Sequence, residues 1–223
     1  MKQFLRNNLV ILLLYLVVAC TAVYIMLNFD KQKIHLFSNG YVGNRIIDGF
    51  FSYITWLGDG TVAVFMLLVI LFYNFRLGIY ATTSFLIASL ATIGLKHVFF
   101  DNEDRPTYIF RYFTDIKLKL IDGVDTHIHN SFPSGHATQA FAILMCLAFV
   151  AENKLVKFLF LLLAILTSYS RVHLSQHWLA DITAGSAVGM VFSIVFYFIF
   201  IQGSKFSRLN KPLYVFIRYW RLR

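Results

Sequence analysis

The sequence predicts an all-α, polytopic membrane protein of six transmembrane helices with an interfacial helix in the first outer loop. Three observations carry that expectation. Hydrophobic residues make up 58% of the chain and charged residues 14%, at a mean hydropathy of +0.67, which is far more apolar than a soluble domain. The apolar residues gather into runs that cross, or nearly cross, a hydrocarbon core about 30 Å thick. The polar clusters sit at the ends of those runs.

Lys2 and Arg6 precede an apolar run from about Leu9 to Leu27, read as the first span because it is longer than the apolar core of a signal peptide and no small-residue cleavage site follows it. Between Asn28 and Gly60, residues Ile46, Ile47, Phe50, Phe51, Ile54 and Leu57 recur at helical spacing while Arg45, Asp48 and Ser52 fall elsewhere. That pattern suits a helix in the interface, or equally a stripe packed on its neighbours. A second span runs from about Thr61 to Tyr73 and is short unless it begins earlier; Asn74, Phe75 and Arg76 turn tightly into a third, about Leu77 to Leu95. The longest polar segment, Lys96 to Phe132, follows. A fourth span opens at Pro133 and continues to Ala151, a fifth runs from about Leu155 to Tyr169 and a sixth from about Trp178 to Ile201. Within the sixth, Gly185 and Gly189 form a small-xxx-small face that lets another helix approach closely. With no repeat, low-complexity tract or composition break, residues 1–223 read as one integral membrane domain.

The formal charge of +9 belongs to topology and anionic lipid, not to nucleic acid, since the basic residues flank apolar spans and gather in the C-terminal tail. With an even number of spans, one side holds both termini and the turns at 74–76 and 152–157, with eleven basic residues; the longer loops of the other side hold the remaining nine. The denser side is the cytoplasmic one. The protein is thus expected in the cytoplasmic membrane with both termini inside, and with the clusters after Lys96, at Pro133 and around Arg171 facing the periplasm or exterior. The tail from Lys205 to Arg223, with Tyr214, Phe216, Tyr219 and Trp220 interleaved, is expected to anchor to anionic headgroups. Cys20 and Cys146 lie in apolar runs without metal-type spacing and read as packing residues.

Chemistry concentrates in two stretches. In Ser170-Arg-Val-His-Leu-Ser-Gln-His-Trp-Leu-Ala-Asp181, His177 and Asp181 stand four apart, so a helix there puts the carboxylate one turn along from the imidazole. Such a pair holds one ring nitrogen protonated and leaves the other free, although the same spacing also serves as a plain helix-surface contact. Arg171 upstream carries the planar, permanent charge suited to a phosphate or carboxylate. In Pro133-Ser134-Gly135-His136, Ser134 is placed to cap a helix whose first amides, unobstructed at Gly135, point at an incoming anion. His136 in the first turn lies near the positive end of the helix dipole, where a cation is disfavoured.

These stretches resemble the motifs of the type 2 phosphatidic acid phosphatase superfamily: Lys, six residues, Arg-Pro; then Pro-Ser-Gly-His; then Ser-Arg, five residues, His, three residues, Asp. The second motif is intact at Pro133 to His136 and the third at Ser170, Arg171, His177 and Asp181, while in the first Lys96 and Arg105-Pro106 are separated by eight residues instead of six. The resemblance implies a membrane lipid phosphatase with His177 as nucleophile, Asp181 orienting it, and His136 as general acid and then base. It implies Lys96, Arg105, Ser134, the Gly135 amide and Arg171 as the phosphate clamp, with no metal or other cofactor. It further implies a lipid phosphate or isoprenyl diphosphate as substrate, entering sideways from the bilayer: phosphatidic acid, phosphatidylglycerol phosphate, undecaprenyl diphosphate and the phosphates of lipid A present the same group to this clamp. Transfer of the phosphoryl group to another lipid is the alternative within the family. The rivals outside it are a metal site among Asp122, Asp125, His127 and His129, whose spacing fits no closed zinc pattern, and a non-enzymatic transporter or scaffold, for which broken or mid-span polar helices are expected.

Overall fold

The computed structural model describes residues 1–124 and 127–202. They form nine α-helices and, among the described residues, no strand: α1 Lys2–Asn28, α2 Lys31–Asn39, α3 Arg45–Ile54, α4 Gly60–Tyr73, α5 Phe75–Val98, α6 Pro106–Tyr112, α7 Gly135–Val150, α8 Lys154–His173 and α9 Leu179–Phe196. A 3-10 turn, Thr55–Gly58, joins α3 to α4, and a π-helical turn, Tyr197–Gln202, extends α9. Short polar side chains set the helix starts: Asp30, Asn44, Asp59, Asn74 and Asn153 each accept from amides of the first turn that follows.

Helix α7 is the axis. Its residues from Ala137 through Phe149 are nearly all buried, as expected of a helix that is apolar on every side and surrounded by others. Helices α5, α8 and α9 wrap it. Helix α1 touches the bundle through one stripe, Phe4, Asn8, Ile11 and Tyr15, and leaves its other apolar faces exposed, so its remaining surface suits lipid. At the end of the bundle where α7 stops, Lys157 donates to Asn8 Oδ1 at 2.5 Å and to the Ala148 carbonyl at 3.2 Å, joining α8, α1 and α7. There too, Arg76 donates to the carbonyls of Phe200 and Ile201, each at 2.7 Å.

Among the described residues, four helices are long and apolar enough to cross a membrane: α1, α5, α8 and α9 with its π turn. A fifth results if α3 and α4, bent by 58°, are counted as one broken span. Helices α4 and α7, expected as spans, have 14 and 16 residues, and 16 residues rise only about 24 Å. Their starts are fixed by the caps Asp59 and Ser134 instead of by hydrocarbon thickness. The break before α4 falls between the helix expected over Ile46 to Leu57 and the span expected from about Thr61. It arises because α3 packs on α8, with the Phe51 ring 5.3 Å from Tyr169 and 4.7 Å from His173, while α4 turns away after Gly58. Ile46, Phe50 and Tyr53 on the other faces of α3 stay exposed. The fifth span also runs past Tyr169 to His173. Cys146 is buried as expected, but Cys20 is exposed on the outer face of α1. The basic tail, Lys205 to Arg223, lies outside the described residues.

The small-residue face of α9 meets α7 as its spacing requires. A Cβ on Gly185 would stand 2.4 Å from the Ser134 carbonyl oxygen, and one on Gly189 would stand 2.5 Å from that of Thr138. Gly189→Ala is therefore expected to push α9 off α7 and destabilise the bundle by about 1–3 kcal/mol. A lowered thermal midpoint in detergent, absent from the control Gly94→Ala, where nothing lies within 4 Å, is the measurement that checks it.

Candidate active site

At the end of the bundle opposite Lys157, the last turns of α5 and α8 meet the starts of α6, α7 and α9. Helix α8 ends because the Arg171 carbonyl receives two amides at once, Gln176 at 2.9 Å and His177 at 3.2 Å, which draws the chain into a tight loop. Ser175 in that loop adopts φ +54, the left-handed region that a side chain disfavours. Helix α9 begins only at Leu179, so His177 stands outside it. The pair expected along one helical face instead closes over the helix start: His177 Nδ1 lies 3.1 Å from Asp181 Oδ2. The same carboxylate oxygen accepts from the Trp178 amide at 2.9 Å and, through a very short contact, from Ser131 Oγ. His177 and Asp181 are both buried, and a buried carboxylate demands such partners.

Three basic side chains surround the pair. Arg105 donates from Nε to the His129 carbonyl at 2.9 Å, from Nη1 to that of Gln176 at 3.1 Å and from Nη2 to that of Asn130 at 3.4 Å. Lys96 Nζ donates to the same Asn130 carbonyl at 2.8 Å. The two cations of the first motif thus converge although their spacing is two residues longer than the family pattern. The turn after α5, with Asn102 at φ +69, absorbs the extra length. Burial lowers the pKa of Arg105, Asp181 opposes the shift, and a guanidinium stays charged regardless. Arg171, 7% exposed, donates from Nη1 to Thr55 Oγ1 at 2.9 Å, while its buried Nε has no hydrogen-bond partner. Thr55 belongs to the turn at the α3–α4 break, where a Cβ on Gly58 would stand 2.7 Å from the His136 carbonyl oxygen. The break therefore seats one turn against both Arg171 and the start of α7.

Helix α7 brings the second motif. Ser134 is fully buried; its Oγ accepts from the Ala137 amide at 3.5 Å, the expected cap, and its own amide donates to the Asp181 carbonyl at 3.0 Å. A Cβ on Gly135 would meet nothing within 4 Å, so open space faces the first amides. His136, half-buried, lies close enough to Arg171, Arg105 and Lys96 to feel the charge of each. All eight residues singled out in the sequence, Lys96, Arg105, Ser134, Gly135, His136, Arg171, His177 and Asp181, are gathered here. Sequence reasoning missed Ser131, Trp178, Thr55 and the carbonyls of His129, Asn130 and Gln176. Ser131 and Trp178 are legible only as flanks of the motifs, and Thr55 carries no local signal. Among the described residues no group of three or more His, Cys, Asp and Glu is placed to hold a metal ion. Of the metal candidates, His129 pairs with Asp104 at 2.9 Å, and Asp125 lies outside the described residues.

Beside the cluster lies a cavity of about 330 Å³ bounded by Asp181, Trp178, Lys31 and Glu103 and by the apolar side chains of Met26, Phe29, Ile34, Phe100, Phe132 and Leu179. A second, more apolar cavity of about 530 Å³ shares Phe29, Ile34 and Leu179 with it and continues along Ile25, Phe37, Tyr169 and Val172. Together they extend from Asp181 to the surface that α1, α2 and α8 present. Chemically, the arrangement offers an oriented imidazole, three cations and helix-start amides facing open space, next to an apolar groove.

Burial pushes His177 down to about 4, against the bond to Asp181 that would raise it. The ring is thus neutral well below the ordinary histidine value of about 6.5. Nitrogen-15 histidine NMR of the protein in nanodiscs is expected to show His177 neutral and singly protonated at pH 6, where a solvated imidazole is mostly charged. A His177 resonance titrating near 6.5 contradicts this account of its burial.

Comparison with known proteins completes the description. No curated protein matches the chain. Two crystal structures share its fold: Aquifex aeolicus LpxE, at a TM-score of 0.64 and 23% identity over 75% of this chain and 95% of that one, and the transmembrane PAP2-type phosphatidylglycerolphosphate phosphatase of Bacillus subtilis, at 0.65 and 20% over 90% and 98%. The PAP2 superfamily matches residues 77–203, a stretch that contains every residue of the cluster, and the chain belongs to that superfamily.

Proposed function

We propose that the protein is a metal-independent lipid phosphatase that cleaves a lipid phosphate or isoprenyl diphosphate through a phosphohistidine at His177. The observation that carries this reading is the buried His177–Asp181 pair ringed by Lys96, Arg105 and Arg171. Asp181 accepts from Nδ1–H, so the lone pair stands on Nε2, the nitrogen that attacks phosphorus. The bond from phosphorus to the lipid oxygen breaks, and His136, held protonated by the bound phosphoryl charge that offsets the three cations around it, delivers its proton to that oxygen. In the second step neutral His136 takes a proton from water, the hydroxide attacks phosphorus, the P–N bond breaks and inorganic phosphate leaves. Arg105, Arg171 and Lys96, with Ser134 and the Gly135 amide, stabilise the charge on the three phosphoryl oxygens, the work that metal ions do in other phosphotransferases.

The groove beside Asp181 supports a lipid as the leaving group. Its wall is largely apolar, Lys31 lies at its rim, and the neighbouring cavity bounded by α1, α2 and α8 suits a hydrocarbon chain that reaches in from the bilayer. For topology we propose six crossings with both termini cytoplasmic and the site outward. In support, the eight site residues lie at the end of the bundle opposite the 74–76 and 152–157 turns, where α7 begins at a cluster that needs access to water. The basic tail would lie at anionic headgroups of the inner leaflet.

The test separates the two histidines by leaving group. In rapid-quench measurements with EDTA present, the wild type is expected to form a phosphoenzyme from both a lipid monophosphate and p-nitrophenyl phosphate, and His177→Ala to form none from either. His136→Ala is expected to lose about 10²–10⁴-fold with the lipid, whose alkoxide needs a proton, while keeping substantial labelling from p-nitrophenyl phosphate, whose phenolate leaves unaided. Equal loss from both substrates in His136→Ala contradicts the role of His136, and loss of wild-type labelling in EDTA contradicts metal independence.

A further inference from the structure

His35 has no place in the phosphoryl chemistry, and nothing around it in the sequence marks it. It lies on α2, in the first outer loop, and is 1% exposed. Its Nε2 lies 3.1 Å from Ser175 Oγ, with the tautomer deciding which of the two donates. Its ring stands edge-on to Trp178 at 5.4 Å and packs on Phe110 at 5.8 Å. Ser175 and Trp178 flank His177 on its two sides in the chain, so one imidazole from a helix 140 residues away touches both flanks of the residue between them.

The contact falls where the loop most needs an external restraint. Ser175 holds φ +54, a conformation that a residue with a Cβ keeps only when its surroundings over-determine it. Backbone bonds to the Arg171 carbonyl fix residues 176 and 177, but among the described residues the bonds to the Ser175 hydroxyl come from α2 alone. Asn39, one turn after His35 on the same face, donates from Nδ2 to Ser175 Oγ at 3.4 Å; its side-chain amide also donates to the Lys119 carbonyl at 2.8 Å and accepts from the Lys119 amide at 2.9 Å, which anchors α2 to the outer loop. His35 Nδ1 is buried without a hydrogen-bond partner. An apolar residue would fill this site without that unmet group, so the imidazole persists for the bond that Nε2 makes.

We infer that His35 is a positioning residue: through Ser175 and Trp178 it fixes the strained loop that aims the His177 imidazole. This rests on the reading of His177 as nucleophile. A reacting atom displaced by about 1 Å loses on the order of 10²-fold in rate, and among the described residues Asn39 is the one other side chain bonded to the Ser175 hydroxyl.

The test measures phosphoenzyme formation and steady-state kinetics with p-nitrophenyl phosphate on the full-length protein in nanodiscs. His35→Leu and Ser175→Ala are each expected to slow the first step by about 10²-fold with KM nearly unchanged. The double variant is expected to be no slower than either single one, since both break one contact. His35→Gln, whose amide reaches the position of Nε2, is expected to recover most of the rate. Losses that multiply in the double variant, a loss confined to KM, or a His35→Gln as slow as His35→Leu overturns the inference. Should His35→Leu not fold, Ser175→Ala and His35→Gln decide alone: a wild-type rate in Ser175→Ala overturns the inference, and a slow Ser175→Ala beside an active His35→Gln supports it. His177→Ala run in parallel keeps the two readings apart. Labelling that persists there sinks the nucleophile itself, whereas labelling lost there but full in Ser175→Ala sinks only the role of His35.

Discussion

The structure depends on one buried carboxylate. Asp181 Oδ2 accepts from Ser131, His177 and the Trp178 amide, and the carbonyl of the same residue accepts from the Ser134 amide. A charge removed from water is tolerated only when such partners surround it, so the approach to α7, the loop that carries His177 and the start of α9 are brought to one point. Close passage of α9 along α7 at Gly185 and Gly189 makes that convergence possible. Without it the starts of the two helices would stand too far apart for the bond from Ser134 to Asp181.

Around that negative centre the chain sets Lys96, Arg105 and Arg171, which repel one another and lose hydration on burial. Carbonyl oxygens share the load: Asn130 receives both Lys96 and Arg105, and His129 and Gln176 receive the rest of the Arg105 fork. Asp181, with Asp59 acting on Arg171, leaves the three cations in excess, a balance suited to an anion. Electrostatic preparation of this kind, held in place before the substrate arrives, is what phosphoryl transfer demands of a protein.

Much of this was legible in the sequence because it rests on local spacing. The apolar runs gave the long helices, Ser134 gave the start of α7, and the two intact motifs named His136, His177, Arg171 and Asp181. The rest depends on contacts between distant parts of the chain. Helical spacing put His177 and Asp181 on one face, whereas α9 begins only at Leu179 and the pair forms across a helix start. The sequence separated a helix at α3 from a span at α4 but carried no sign of what fixes the 58° bend between them, which answers to Thr55 meeting Arg171 and Gly58 meeting His136. The longer first motif left Lys96 open, and only the turn at Asn102 shows how it reaches Asn130. His35 carried no signal, since its partner is 140 residues away.

The central claim is that the His177–Asp181 pair makes His177 Nε2 the atom that takes the phosphoryl group. The most direct test is to trap the phosphoenzyme at alkaline pH, where a phosphoramidate survives, and to locate the modified residue and ring nitrogen by mass spectrometry and phosphorus-31 NMR. The account predicts a single phosphoramidate on Nε2 of His177. A phosphoryl group on His136 or on a serine, or hydrolysis with oxygen-18 water inverting a chiral phosphoryl centre in one step, would contradict it.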